Sequence, residues 1–181
     1  MLFLPWLSSA AKADEEERMG EYWVAYHHGS VGTNEVFVAD GSASSIFQRA
    51  GGVQSMGVYR VSERPGRARL RSYDVEVDCA KRRVRVKKAD DLVPLINIWE
   101  PVKVNSAWPS QPEPWLARSR DFLCQPSQRR AMGMVAFGKL QPVNVTKTAL
   151  AYMRSLHREQ AIQAVLQAVD AAFEKMPEVQ P

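Results

Sequence analysis

Apolar and polar residues alternate along much of the first half of the chain, and helical spacing takes over only towards its end. Residues 22–28 are rich in aromatic and β-branched side chains and predict a strand. Residues 29–34 hold two Gly with Ser, Thr and Asn and predict a turn. Residues 35–39 predict a second strand, ended by Asp40-Gly41. Residues 42–50 read as a short helix or loop, broken by Gly51-Gly52. Residues 54–62 predict a further strand, and Glu63-Arg64-Pro65-Gly66 is a strong turn signal. Residues 67–78 predict the longest strand, and 80–88 return across a tight connection as an antiparallel hairpin. The apolar stretch 92–99 is interrupted by Pro94, which places it at a sheet edge.

Residues 101–114 carry four prolines and read as loop, and 115–124 have helical spacing. Within the ambiguous segment 125–141, residues 135–137 are suited to a last strand. Thr146 is a candidate N-cap for a helix over 147–176, ended by Pro177. Such a helix is about 45 Å long, more than a small domain needs. Leu150, Met153 and Leu156 form one apolar stripe, and Ile162, Val165, Val169 and Phe173 form another, with a polar stretch at 157–160 between them. The favoured expectation is an amphipathic helix lying over one face of the sheet. The alternative is a kink at 157–160, or a second half that projects and meets a partner. The fold class is α+β: an antiparallel sheet first, with helices packed on it, including a long C-terminal helix.

Composition narrows the function. The 181 residues carry a formal charge of +4 and are 45 % apolar, enough for a packed core. No apolar run reaches the ~18 residues of a membrane span. The start, MLFLPWLSSAAKA, has an apolar run, small residues and an Ala11-Lys12-Ala13 cleavage pattern, followed by the acidic run 14–17. It reads as a signal peptide over 1–13, although no positive residue precedes the apolar run. The expected organisation is that leader, an α+β domain over 14–143 and a C-terminal helix over 144–181. The expected location is outside the cytoplasm: periplasm, outer-membrane surface or secreted.

Cys79 and Cys124 lie 45 positions apart. In an exported protein such a pair is expected to form a disulfide; in a cytosolic one it would be two buried thiols. Between residues 60 and 88 there are eleven Lys or Arg against four acids. On regular strands Arg67, Arg69 and Arg71 share a face, as do Arg83, Arg85 and Lys87. Paired, they would gather six cations on one side, either as an ordinary solvated face or as a surface for an anionic glycan, lipid or acidic protein. No aromatic is interleaved among them as a base-stacking platform, so nucleic acid is not expected.

Catalytic patterns are missing from the sequence. His27 and His28 point to opposite faces of a strand, and no HExxH, CxxC, P-loop or GxSxG motif occurs. Asp74, Glu76 and Asp78 share a face, but the adjacent basic strand offers them salt bridges. Trp99, Trp108 and Trp115 flank the proline-rich loop and read as loop and core anchors. No enzyme activity, cofactor or metal is expected.

The stretch YDVEVDCAKRRVRV, followed by Trp99 and Trp108 and then PWLARSRDFLC, resembles the surface-adhesin protein E family. Asp78, Cys79, Ala80, Arg83 and Arg85 match its Asp-Cys-Ala and Arg-rich strand, and Cys124 matches its second cysteine. The resemblance spans about residues 59–124 and does not cover the chain from Gln125 onward. It implies an exported bacterial domain with an antiparallel sheet, packed helices and one disulfide joining them. It also implies an adhesive role towards host proteins and an ability to form a homodimer. The expectation is therefore a non-enzymatic binding protein of the envelope or surface, with the basic hairpin as its binding face. The alternative is a periplasmic structural or assembly protein that docks through its C-terminal helix.

Overall fold

A computed structural model describes residues 19–94 and 96–174. The expected leader and the helix end at Pro177 lie outside the described residues. Eight strands form one antiparallel sheet: β1 (Gly20–His28), β2 (Glu35–Asp40), β3 (Ile46–Gln48), β4 (Gln54–Ser62), β5 (Leu70–Asp78), β6 (Arg83–Val93), β7 (Ile98–Val102) and β8 (Val135–Leu140). Their order is β7-β6-β5-β4-β2-β1-β8, and β3 pairs with the part of β4 that β2 leaves free. Among the described residues two α-helices pack on this sheet: α1 (Pro114–Cys124) and α2 (Val145–Phe173).

Each helix covers one face of the sheet. On the first face Trp115, Leu116, Phe122 and Leu123 of α1 pack with Phe37, Met56, Val58, Tyr73, Val75, Val77 and Val84. The Trp115 ring lies 4.7 Å from both Phe37 and Tyr73. On the second face Val145, Ala149, Met153 and Leu156 of α2 pack with Tyr22, Val24, Val36, Val38 and Val61. Strand β2 lies within both cores, so all six of its residues are buried. That explains why its four central residues, Val36 to Ala39, are all apolar rather than alternating.

The α+β expectation holds, with local corrections. The segment 42–50 contains the short strand β3 between two single 3-10 turns. Strand β5 begins at Leu70, because the turn at Pro65-Gly66 continues in irregular backbone through Arg69. The edge position expected for 92–99 belongs to β7, whose Pro101 supplies no N–H. Strand β8 forms the other edge; the β1–β8 register shifts at Tyr22/Trp23, opposite Gly138 at φ 83°. Thr146 is not the cap of α2: Asn144 holds that position with helical backbone and makes no side-chain capping bond.

Helix α2 is one continuous element, and only its first half follows the favoured expectation of lying on the sheet. Every residue from 161 to 174 is exposed, so the second half projects past the sheet. The point of departure is fixed by polar contacts. His157 Nε2 lies 2.8 Å from Glu63, and the Gln160 amide donates to the Gly29 carbonyl and to Asn34.

Candidate binding surfaces

The six cations do not share one face. Arg67 and Arg69 precede β5 rather than belonging to it. Arg67 reaches back to the buried Glu35 at 3.3 Å. That carboxylate also accepts a bond from Ser62 and lies 3.4 Å from His28. Arg71 has the parity of Tyr73, Val75 and Val77, so it lies on the α1 face. Arg83, Arg85 and Lys87 alternate with Val84 and Val86, which belong to the α1 face, and so begin on the opposite one.

Register neutralises most of this charge. Asp78 pairs with Arg83 and Glu76 with Arg85 across the β5–β6 ladder. Their ion pairs measure 3.0 and 2.5 Å. Trp108, from the proline-rich loop, covers both guanidinium groups at 4.7 and 4.4 Å. An aromatic partner thus exists, but it comes from outside the hairpin and its ring already stacks on the two arginines. Lys87 lies with Arg49, Asp74, Glu76 and Arg85 around a shallow cleft. Burial raises the Asp74 carboxyl above its ordinary value, opposed by Arg49 and the neighbouring lysines.

On the α1 face Arg71 donates from Nε and Nη2 to the two oxygens of Asp91, at 2.5 and 2.7 Å. This forked bond holds the Asp91 carboxyl below its usual range. The resulting stability is full above the unfolded carboxylate value of about 3.9 and is lost as pH falls through the lower folded value. Both side chains are partly exposed, so solvent screens the pair. Asp91→Asn is expected to cost about 1 kcal/mol at neutral pH. Urea titrations at a series of pH values should show that deficit closing as pH falls below about 4. An undiminished deficit in acid would exclude the carboxylate charge as its source.

The exposed half of α2 carries the most continuous apolar surface of the helix. Ile162, Val165, Leu166, Val169 and Phe173 are 44–64 % exposed. At about 100° per residue, this stripe lies about 140° around the helix from the stripe of Val145, Ala149, Met153 and Leu156. The same continuous helix therefore presents one apolar side to its own sheet and another away from it. No Lys or Arg occurs between residues 161 and 174, whereas Asp170 and Glu174 do.

A second apolar surface is a groove of about 510 Å³ between the β6–β7 end of the sheet and the start of α2. Tyr59, Leu70, Leu92, Trp99 and Val143 line it, and among the described residues Arg69 is its one charged lining residue. The sequence showed these residues as parts of four separate segments, so only the fold brings them together.

No family model, curated protein or solved structure matches this chain. Other groups fall into structural roles. His27 and His28 occupy opposite faces: His27 meets the Tyr152 ring of α2 edge-on at 5.8 Å, and His28 lies against Phe37. Burial lowers the His27 pKa. Among the described residues no cluster of three His, Cys, Asp or Glu is arranged to hold a metal, and no helix is long and apolar enough to cross a membrane. Cys79 and Cys124 form a disulfide with a Cα–Cα distance of 5.6 Å, joining the end of β5 to the end of α1.

Proposed function

We propose that this chain is an exported, non-enzymatic bacterial envelope or surface protein that docks a partner protein through the projecting half of α2. The exposed stripe from Ile162 to Phe173 carries this reading. Five large apolar side chains on one helix side give a partner the i, i+3, i+4 anchors of helix-in-groove recognition. Beside the stripe stand Arg158 at its start and Asp170 within it, so a partner protein with mixed charge around an apolar groove suits it. The disulfide is consistent with an oxidising compartment and supports export. The resemblance to surface-adhesin protein E points the same way. The hairpin is the weaker candidate for an anionic partner, since carboxylates already face Arg71, Arg83 and Arg85.

The test is photo-crosslinking in envelope extract with the probe at Val165, comparing the full chain with Leu166→Glu. Leu166 is 51 % exposed, so the substitution should leave circular dichroism and the disulfide unchanged. A defined complex reduced about tenfold or more by Leu166→Glu is the expected outcome, as for a central anchor. Equal crosslinking by both proteins would remove α2 from the reading.

A further inference from the structure

We propose that the groove between the β6–β7 end of the sheet and the start of α2 binds a small amphiphile with one anionic group, its apolar body on Tyr59, Leu70, Leu92 and Trp99 and its charge at Arg69. This site is separate from the docking stripe, and neither reading depends on the other.

The wall is apolar because α2 covers only part of its face of the sheet. The core under the helix takes in β1, β2, the Val61 end of β4 and Leu70 of β5, leaving β6 and β7 beside its first turn uncovered. There Leu92 stands opposite Trp99 in the β6–β7 ladder. Leu70 enters from β5, Tyr59 from β4, and Pro142, Val143 and Val145 close the far side. Trp99 is 45 % and Val143 79 % exposed, so the rim leaves apolar surface in water that a bound hydrocarbon body would cover.

Charge decides which amphiphile fits. Among the described residues the groove lining contains one cation and no acid. Among the described residues Arg67, Arg71, Arg83 and Arg85 all have carboxylate partners, but the Arg69 side chain has no hydrogen bond or ion pair. An exposed guanidinium beside apolar walls offers five donors to a carboxylate, sulfate or phosphate head group. Asn97 and Thr146 add neutral polar groups at the same lining. A cationic head group would meet Arg69 with like charge and find no acid in the lining.

Calorimetry on the full oxidised chain, with decanoate and decyltrimethylammonium below their micelle concentrations and decanol below its solubility limit, tests this. Decanoate should bind at least about tenfold more tightly than decyltrimethylammonium, with decanol between them. Arg69→Ala should bring decanoate down to the level of decanol and leave decanol unchanged. Trp99→Ala should weaken decanoate and decanol together. Both residues are exposed, so both variants should keep the fold. No binding of decanoate, equal binding of the two charged probes, or an anion preference surviving Arg69→Ala would each overturn the proposal.

Discussion

Removing the Cys79–Cys124 bridge is expected to lower the free energy of unfolding by about 4 kcal/mol. The bridge closes a 45-residue loop that contains β6, β7, the proline-rich segment and α1. Without it the unfolded chain regains the freedom that closure removed, while the folded state keeps its packing. A loss of this size is a large share of the ~5–15 kcal/mol typical of a domain. Urea denaturation of the oxidised chain and of a Cys79→Ala/Cys124→Ala variant would measure it. The denaturant slope should rise in the variant, because its unfolded state exposes more surface. A change in unfolding free energy of less than about 1 kcal/mol would mean that residual structure already holds the two ends together when unfolded.

Phe122→Ala should cost a comparable ~3–5 kcal/mol, by a different route. Phe122 is fully buried where α1 meets the sheet. Arg129 lies over its ring at 3.7 Å and donates from Nε to the Phe122 carbonyl at 3.0 Å. Gly41 lies close against the same pair: a Cβ there would stand 2.7 Å from Arg129 and 3.0 Å from the ring. Truncation therefore leaves a cavity and also removes the ring that faces a largely buried cation, whose pKa burial already lowers. The loss should appear as a lower midpoint in the oxidised protein. Because Phe122 and Cys124 fix the same end of α1, the two perturbations should not add, and the combined variant would measure their coupling. Full additivity would show that helix and bridge are anchored independently.

The sheet was legible because period-two alternation and turn residues mark strands wherever one side is buried. Strand β5 shows both the strength and the limit of that reading. Val75 and Val77 mark the core side, and the same parity puts Arg71 on it, which grouping the arginines by charge alone concealed. The irregular path through Arg69 follows from the turn before it and not from alternation. Pairing of Arg83 with Asp78 and Arg85 with Glu76 follows the register next to the hairpin turn, but Arg71 meets Asp91 only because that register shifts between Asp74 and Val75, which hairpin length does not specify. Trp108 over the arginines, and the groove beside Arg69, are non-local and have no signature in a single segment. The two stripes of the last helix were visible from spacing; that they face different ways follows from the same arithmetic, but their different fates needed the position of the sheet.

The outer strands have a consequence for how this protein behaves when concentrated. An unprotected sheet edge is a template on which another chain can add a strand and continue into fibrils. Here β7 contains Pro101, which lacks an amide proton, and β8 departs from regular pairing at Gly138, where its backbone turns left-handed. Each interruption breaks the regular ribbon that a foreign strand would need. A chain that displays so much apolar helix is thereby steered towards assemblies of limited size and away from open-ended β-aggregation.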